Sequence, residues 1–321
     1  QYNSNTNANY MGYDTHNGGL TMKSLFERTN SNWVRYNEYE WKETKDGNLY
    51  LMPAKTAQPG IYDPLSDYQQ IVLDAINIGR MKAQKNSDKE IQKAIQQFAV
   101  KYGLLGLMTA LPTTPSFMDY EAVYLPKNHF IREESMSTMD YLNLFFPFDK
   151  PDVVKRGVES MWNIKNDRVM MALAMTMSDK PTAINMSFQR EYGERFEWMQ
   201  QQFEDIAFTY LTSMLYYEDY DTLTAEQKML MQQGMETFGG IAPTYKIRLL
   251  DKPTIVWDFH SLMLGVQMMF SFMLTDQDKP IRICKHCSEV FVASRPSAVF
   301  CSPQCKNKHN VYKSRSKDKK E

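Results

Sequence analysis

The residues best suited to chemistry are four cysteines close to the end of the sequence. They occur as Cys284-x2-Cys287 and Cys301-x3-Cys305, and the chain has no other cysteine. Thiolates are soft ligands, and four of them match the tetrahedral coordination that zinc prefers. The spacing therefore predicts one structural zinc ion bound by all four cysteines. An iron site of the rubredoxin type and a group of free structural thiols are the alternatives.

The two cysteine pairs are expected to lie in different local structures. The first pair, Cys-Lys-His-Cys, has the reach of a zinc knuckle, a tight turn on which two sulfurs converge. The second pair opens a predicted helix, in which Ser302 is the N-cap and Pro303 the first helical residue. Cys305 then lies in the first turn, where the helix dipole stabilises a thiolate. The core of an intervening hairpin is expected from Phe291, Val292 and Phe300. Together these elements predict a treble clef.

Two histidines, His286 and His309, are also close enough in sequence to be spare ligands. His309 follows Cys305 by one helical turn and is expected on the metal side of the helix. Because four cysteines already complete a tetrahedral set, we expect His309 to pack or form a hydrogen bond instead. No histidine lies between Cys287 and Cys301, which argues against a treble-clef nuclease.

The charge of the chain is distributed unevenly. Residues 279–321 contain 11 Lys and Arg against 3 Asp and Glu, a net charge of +8. Since the whole chain has a net charge of −1, the preceding residues carry −9. A basic segment on an acidic protein indicates an anionic partner for that segment. A solvated, poorly ordered terminus is the alternative interpretation.

The predicted helix after Cys305 has a basic surface. Lys306, Asn310, Lys313 and Lys317 recur at helical spacing on one side, while Val311 and Tyr312 are expected to face inward. Lysines suit phosphate groups, and asparagine suits a base edge or a phosphate. A solvated helix face is the alternative. The candidate nucleic-acid-binding residues are Arg295, Lys306, Asn307, Lys308, Asn310, Lys313, Arg315 and Lys317.

The segment RICKHCSEVFVASRPSAVFCSPQCKNKHNVYKSR resembles the CGNR-type zinc fingers of bacteria. That family combines a cysteine knuckle, a following Phe, a Ser-Arg-like turn, a Cys-Ser step and a Cys-Gly-Asn-Arg helix start. The matching positions here are Phe291, Ser294-Arg295, Cys301-Ser302 and Cys305-Lys306-Asn307-Lys308, with Lys306 and Lys308 departing from the family's Gly and Arg. Over residues 281–316 the resemblance implies a treble clef, zinc on the four cysteines and a role in bacterial transcription regulation. It also implies a ligand-sensing type of domain before the finger.

The elements that position this module are predicted to form an α+β body that is predominantly helical, with an N-terminal β-hairpin. We expect an irregular segment at residues 1–30, the body at 31–278 and the zinc-binding basic module at 279–321. Asp46-Gly47 predicts the hairpin turn, and Ser87 with Glu90 predicts a helix-capping box. Helices are expected at residues 64–82, 88–103, 135–146, 152–161, 190–218 and 224–238, a strand at 245–250, and an apolar helix from residue 253.

The side chains of the body are predicted to be structural. The sequence has no Gly-x-Gly-x-x-Gly, Walker, Gly-x-Ser-x-Gly or His-Glu-x-x-His motif, so we do not expect an enzyme. Asp258 and His260 are expected on different sides of one helix, and residues 254–274 are read as a buried helix rather than a membrane span. A solvated face is expected from Glu191, Glu194, Glu197, Glu204 and Asp205. Core positions are expected at Trp198, Phe203, Phe208, Tyr210 and Met214.

These observations favour a zinc-dependent nucleic-acid-binding protein, with DNA preferred over RNA, that regulates bacterial transcription. The body is expected to sense a small ligand or to form a homo-oligomer. A protein-interaction adaptor with a purely structural zinc finger is the main alternative, and an enzyme of unrecognised type is a third class. Clustered cysteines fit a reducing compartment, so a cytoplasmic protein without a membrane partner is expected.

Overall fold

A computed structural model describes residues 33–108, 122–124, 131, 135–150, 190–236, 238, 244–249, 253–258, 261–276 and 278–317. The α+β class is confirmed, because about half of these residues are helical and their strands form small antiparallel sheets. The helices of the body are α1 Tyr68–Arg80, α2 Asp88–Tyr102, α3 Thr138–Phe145, α4 Phe196–Glu218, α5 Ala225–Glu236 and α6 Leu262–Thr275. Before α3, strands β5 (Ala122–Tyr124) and β6 (Ser135–Ser137) pair antiparallel. The helix predicted at residues 152–161 and the irregular segment predicted at residues 1–30 lie outside the described residues.

The N-terminal hairpin is confirmed, but it is one part of a larger arrangement. Strands β2 (Tyr39–Glu43) and β3 (Leu49–Pro53) pair antiparallel around Asp46-Gly47, where Gly47 has a φ of +80°. The preceding strand β1 (Trp33–Tyr36) pairs instead with β4 (Pro59–Tyr62). The backbone N–H of Tyr36 donates to the Tyr39 hydroxyl at 3.0 Å, across the bend that separates β1 from β2. This bend directs β1 and β2 into different sheets.

Side-chain caps begin two further helices, and the first of these caps was predicted from the sequence. At the start of α2, the Ser87 hydroxyl accepts from the Glu90 backbone, and the Glu90 carboxylate accepts the Ser87 N–H at 2.8 Å. The same helix ends at Gly103, as predicted. Ser137 caps α3 through the Asp140 N–H at 3.0 Å. Local hydrogen bonding therefore determines both helix starts.

The long helix expected from Arg190 begins later, at Phe196. Glu194 and Arg195 form a short strand, β7, which pairs with Leu51 and Tyr50 of β3. The spacing of Arg190 with Glu194 and of Glu191 with Arg195 favours i,i+4 ion pairs in a helix, but that interpretation is wrong because these residues are not helical.

Glu194 was predicted to lie on a solvated face, but it is fully buried. Its carboxylate accepts the backbone N–H groups of Leu105, Gly106 and Leu107 at 2.6–2.8 Å and the Tyr192 hydroxyl at 2.7 Å. Burial raises the pKa of this carboxyl, and the hydrogen bonds partly oppose that rise. Glu194 thus connects the start of α4 to the loop that follows α2.

The predicted apolar helix from residue 253 is divided into a strand and a shorter helix. Strand β8 (Thr244–Leu249) confirms the expected strand and pairs antiparallel with β9 (Pro253–Asp258). Helix α6 begins only at Leu262, after Ser261 accepts the Leu264 N–H at 3.1 Å. Asp258 therefore lies on a strand, and His260 lies outside the described residues. Among the residues described, every helix is too short or too polar to cross a membrane.

The core of the body forms where α4 packs against α1, α2 and α6. Trp198, Phe203 and Tyr210 are buried as predicted, and Met214 is half-buried. Phe208 was predicted to be buried but is 71% exposed, because it lies on the opposite side of α4 from Phe203 and Tyr210. The α4 surface that faces α1 is therefore the buried surface.

Gly79→Ala should lower the free energy of unfolding by about 2–3 kcal/mol, the usual scale for overpacking a core. A Cβ at Gly79 of α1 would lie 1.9 Å from the carbonyl oxygen of Phe203, so α1 and α4 would have to separate. Urea unfolding measures the change. Gly234→Ala on α5 is the matched control: its Cβ would meet nothing within 4 Å, and helix propensity predicts a gain of about 0.5–1 kcal/mol. Equal effects would refute this packing.

Candidate metal centre

The first two cysteines are presented by a tight turn between two short strands. Strands β10 (Ile281–Ile283) and β11 (Val290–Val292) pair antiparallel. Between them, the Cys284 N–H donates to the Glu289 carbonyl at 2.9 Å and the Ser288 N–H donates to the Cys284 carbonyl at 3.0 Å. Ser288 has a φ of +63°, which closes the turn. The predicted knuckle geometry therefore follows from local backbone hydrogen bonds.

The second pair of cysteines lies at the start of helix α7 (Pro303–Lys317). Ser302 caps this helix as predicted, because its hydroxyl accepts the Cys305 N–H at 3.2 Å and its carbonyl accepts the Lys306 N–H at 3.1 Å. The Lys285 N–H donates to the Val299 carbonyl at 3.0 Å, so the knuckle is held against the segment that leads to Cys301. The Ser302 cap and the hydrogen bond between Lys285 and Val299 together bring the second cysteine pair to the first.

The four sulfur atoms of Cys284, Cys287, Cys301 and Cys305 converge. All lie within 4.8 Å of one another. The Cys301 sulfur lies 3.7 Å from that of Cys287 and 3.4 Å from that of Cys305. A tetrahedral zinc site with Zn–S bonds of about 2.3 Å has sulfurs about 3.8 Å apart. The cluster is therefore compatible with a structural metal such as zinc.

The electrostatic environment of the cluster also suits a cation. Burial alone would raise the pKa of the Cys284 thiol, but N–H groups of Cys287, Cys301 and His286 that point at its sulfur lower it to about 6. Burial and the neighbouring cysteines raise the pKa of Cys301 to about 12. Thus the Cys284 thiolate forms more readily than that of Cys301, and a bound metal ion would displace the Cys301 proton.

Neither histidine is part of the sulfur cluster. His309 packs against Phe300, with ring centroids 5.1 Å apart, which agrees with the prediction that it packs. His286 stacks on Tyr312, with centroids 5.8 Å apart and planes 18° from parallel. Tyr312 and Val311 were expected to face inward, but they are 63% and 47% exposed. The module is too thin to cover this part of α7.

The C-terminal module, whose described residues 279–317 are called the finger below, also contacts the body. Ile281 and Val290 belong to the same buried apolar cluster as the helices of the body. The Val290 N–H donates to the Asn77 side chain at 3.1 Å, and the Arg80 guanidinium donates to the Ser288 carbonyl at 2.8 Å. Both polar partners lie on α1, and sequence reasoning did not single them out. The turn that carries Cys284 and Cys287 is thus fixed to α1.

Arg80→Ala should lower the free energy of unfolding by about 2 kcal/mol and speed the transfer of metal from the finger to a chelator. The change removes a charged donor from the carbonyl of Ser288, one residue after Cys287. Thermal unfolding and metal-release kinetics measure the two effects. Lys82→Ala is the control, because the Lys82 side chain is 65% exposed, pairs with Glu204 at 3.5 Å and should change stability by under about 0.5 kcal/mol when removed. Unchanged release from Arg80→Ala would contradict the coupling.

The structure describes the side chains of six candidate nucleic-acid-binding residues, and all six lie on the surface of the finger. The exposed ones are Arg295, Lys306, Asn307, Lys308, Asn310 and Lys313. Arg315 and Lys317 lie on α7, but their side chains are outside the described part of the chain. The helix has five Lys and Arg residues and no carboxylate. Its accessible surface is therefore strongly cationic.

Comparison of the chain with protein families, with curated proteins and with solved structures finds no match. The treble clef and the relation to CGNR-type fingers therefore remain predictions. The features that indicate a function are the cysteine cluster and the cationic surface of α7.

Proposed function

We propose that this protein binds nucleic acid, DNA in particular, through a zinc-ordered C-terminal module, and that it regulates transcription. The observation that carries the proposal is that α7 begins at the cysteine cluster and bears five cationic residues without a carboxylate. The metal site and the cationic surface thus share this helix. Anything that orders the cluster also orders the charges.

Zinc has a structural role in this proposal. Cys284, Cys287, Cys301 and Cys305 would complete a tetrahedral set, which leaves no open position for a catalytic water. The module has few buried apolar side chains of its own, and small modules of this kind depend on metal binding for their folding energy. The ion thereby fixes the direction of α7 relative to the knuckle.

The charges of the module suit a polyanion. Exposed Lys306 and Lys313 lie on one side of α7 and can neutralise phosphates, while Asn310 between them can meet a base edge or a phosphate. The net charge of +8 on residues 279–321 attracts nucleic acid, and the charge of −9 on the preceding residues disfavours its binding there. The body would then sense a ligand or hold two copies together.

Binding of a mixed-sequence DNA duplex should fall steeply with salt, with a log–log slope of about −3 to −6 for four to six phosphate contacts. Fluorescence anisotropy of the zinc-loaded chain at several NaCl concentrations gives this slope. Replacing Lys306 and Lys313 by Gln should reduce its magnitude by about 2, whereas replacing the exposed Lys89 and Lys93 of α2 should leave it unchanged.

Absence of binding at low salt, to the duplex and to single-stranded DNA alike, would reject the proposal. Polyglutamate at matched charge serves as a competitor. If it displaces DNA efficiently, the basic surface does not discriminate between polyanions, and the adaptor alternative is favoured.

A further inference from the structure

The ring of Tyr312 is exposed and yet held in place. It is 63% accessible, and one of its sides stacks on the His286 ring, with centroids 5.8 Å apart and planes 18° from parallel. His286 is itself half-buried and lies between Cys284 and Cys287, so its position is fixed by the knuckle. The other side of the Tyr312 ring is therefore available as a flat, pre-positioned aromatic surface.

Two exposed lysines are close in the chain to the stacked pair. Lys285 precedes His286 and is exposed, and Lys308 lies one turn before Tyr312 on α7 and is also exposed. Val311, beside Tyr312, adds apolar surface that is 47% exposed. A flat ring with flanking lysines has the features of a surface that binds both the base and the phosphates of a nucleotide.

We propose that Tyr312, backed by His286, is a stacking platform for an unpaired base, so that the module prefers single-stranded nucleic acid or locally opened duplex. This inference rests on the proposed function and specifies its ligand. In a duplex, both faces of each base are covered by neighbouring bases, so Tyr312 can reach only the groove or the backbone. In a single strand, a base is free to stack on the ring while Lys285 and Lys308 contact the adjacent phosphates.

The test compares a 12-nucleotide oligothymidylate with a 12-base-pair duplex, each binding to the zinc-loaded full chain at one salt concentration. The oligothymidylate should bind at least as tightly as the duplex, despite its lower charge density. Tyr312→Ala should weaken its binding by about 5- to 150-fold and change duplex binding by less than about twofold. Tyr312→Phe retains the ring and should behave like the unaltered chain. Tyr217→Ala is the matched control, because Tyr217 is 76% exposed on α4 of the body.

The zinc content of each variant shows whether the finger remains ordered. If Tyr312→Ala loses zinc, photocrosslinking of the unaltered chain to a 5-iodouracil oligonucleotide decides, with a crosslink at Tyr312 expected. Three results would overturn the stacking platform but not the proposed function: Tyr312→Ala weakens binding of both ligands equally, it weakens binding of neither, or the crosslink forms at another residue. Failure of both ligands to bind at low salt would instead overturn the proposed function.

Discussion

Cys301→Ser should release the bound zinc and reduce nucleic-acid affinity by about two orders of magnitude, because structural zinc supplies most of the folding energy of small modules. The Cys301 sulfur lies 3.7 Å and 3.4 Å from those of Cys287 and Cys305, and its N–H donates to the Cys284 sulfur at 3.5 Å. Serine is a poor ligand for zinc, so the set of four would fall to three. Without the metal, α7 loses its fixed orientation and its lysines no longer act together.

Zinc analysis and duplex binding, measured on the same preparation, test this prediction. Ser294→Ala is the control, because Ser294 is exposed in the loop between the cysteine pairs and should leave both measurements unchanged. The body should stay folded in Cys301→Ser, since most of its apolar core comes from its own helices and strands, with Ile281 and Val290 of the finger joining it and Ile283 and Val292 packing against it. Full zinc content together with full affinity in Cys301→Ser would show that the sulfurs do not share an ion.

Glu194→Ala should lower the free energy of unfolding by about 3–5 kcal/mol, the largest stability effect we expect in the body. The carboxylate satisfies three consecutive backbone N–H groups, at Leu105, Gly106 and Leu107, and the Tyr192 hydroxyl. Removing it leaves these donors buried without an acceptor. Water is excluded there, because Glu194 and Tyr192 have no exposed surface.

Urea unfolding followed by circular dichroism gives the stability difference. Glu197→Ala is the matched control, since Glu197 lies three residues further on, is 53% exposed and pairs with Arg195 at 2.8 Å. It should change stability by under about 1 kcal/mol. Similar losses for Glu194→Ala and Glu197→Ala would mean that Glu194 is not the buried acceptor of this loop.

The features that sequence alone predicted are those set by residues close together in the chain. The knuckle needs only the Cys-x2-Cys spacing and a turn, and the Ser302 cap needs only the next few residues. The Asp46-Gly47 turn and the Ser87 capping box are of the same kind. Each is decided by hydrogen bonds within about six residues, which a local pattern can reveal.

Features that depend on distant partners were not predictable in this way. Glu194 has the spacing of a helical ion pair with Arg190, but its real partners are N–H groups 87–89 residues away. An apolar run around Val256 fits either a buried helix or a strand. It forms a strand because it pairs antiparallel with β8, which a local pattern does not reveal. Likewise, Arg80 resembles any basic residue at a helix C-terminus until the finger packs against it.

The most direct test of the account is the zinc content of the purified chain, measured together with the reactivity of its thiols. We expect one zinc ion per chain and four cysteines that react slowly with a thiol reagent until a strong chelator is added. A chain that contains no zinc, and whose four thiols react at once with or without chelator, would contradict the claim that these sulfurs hold a single ion that orders the basic helix.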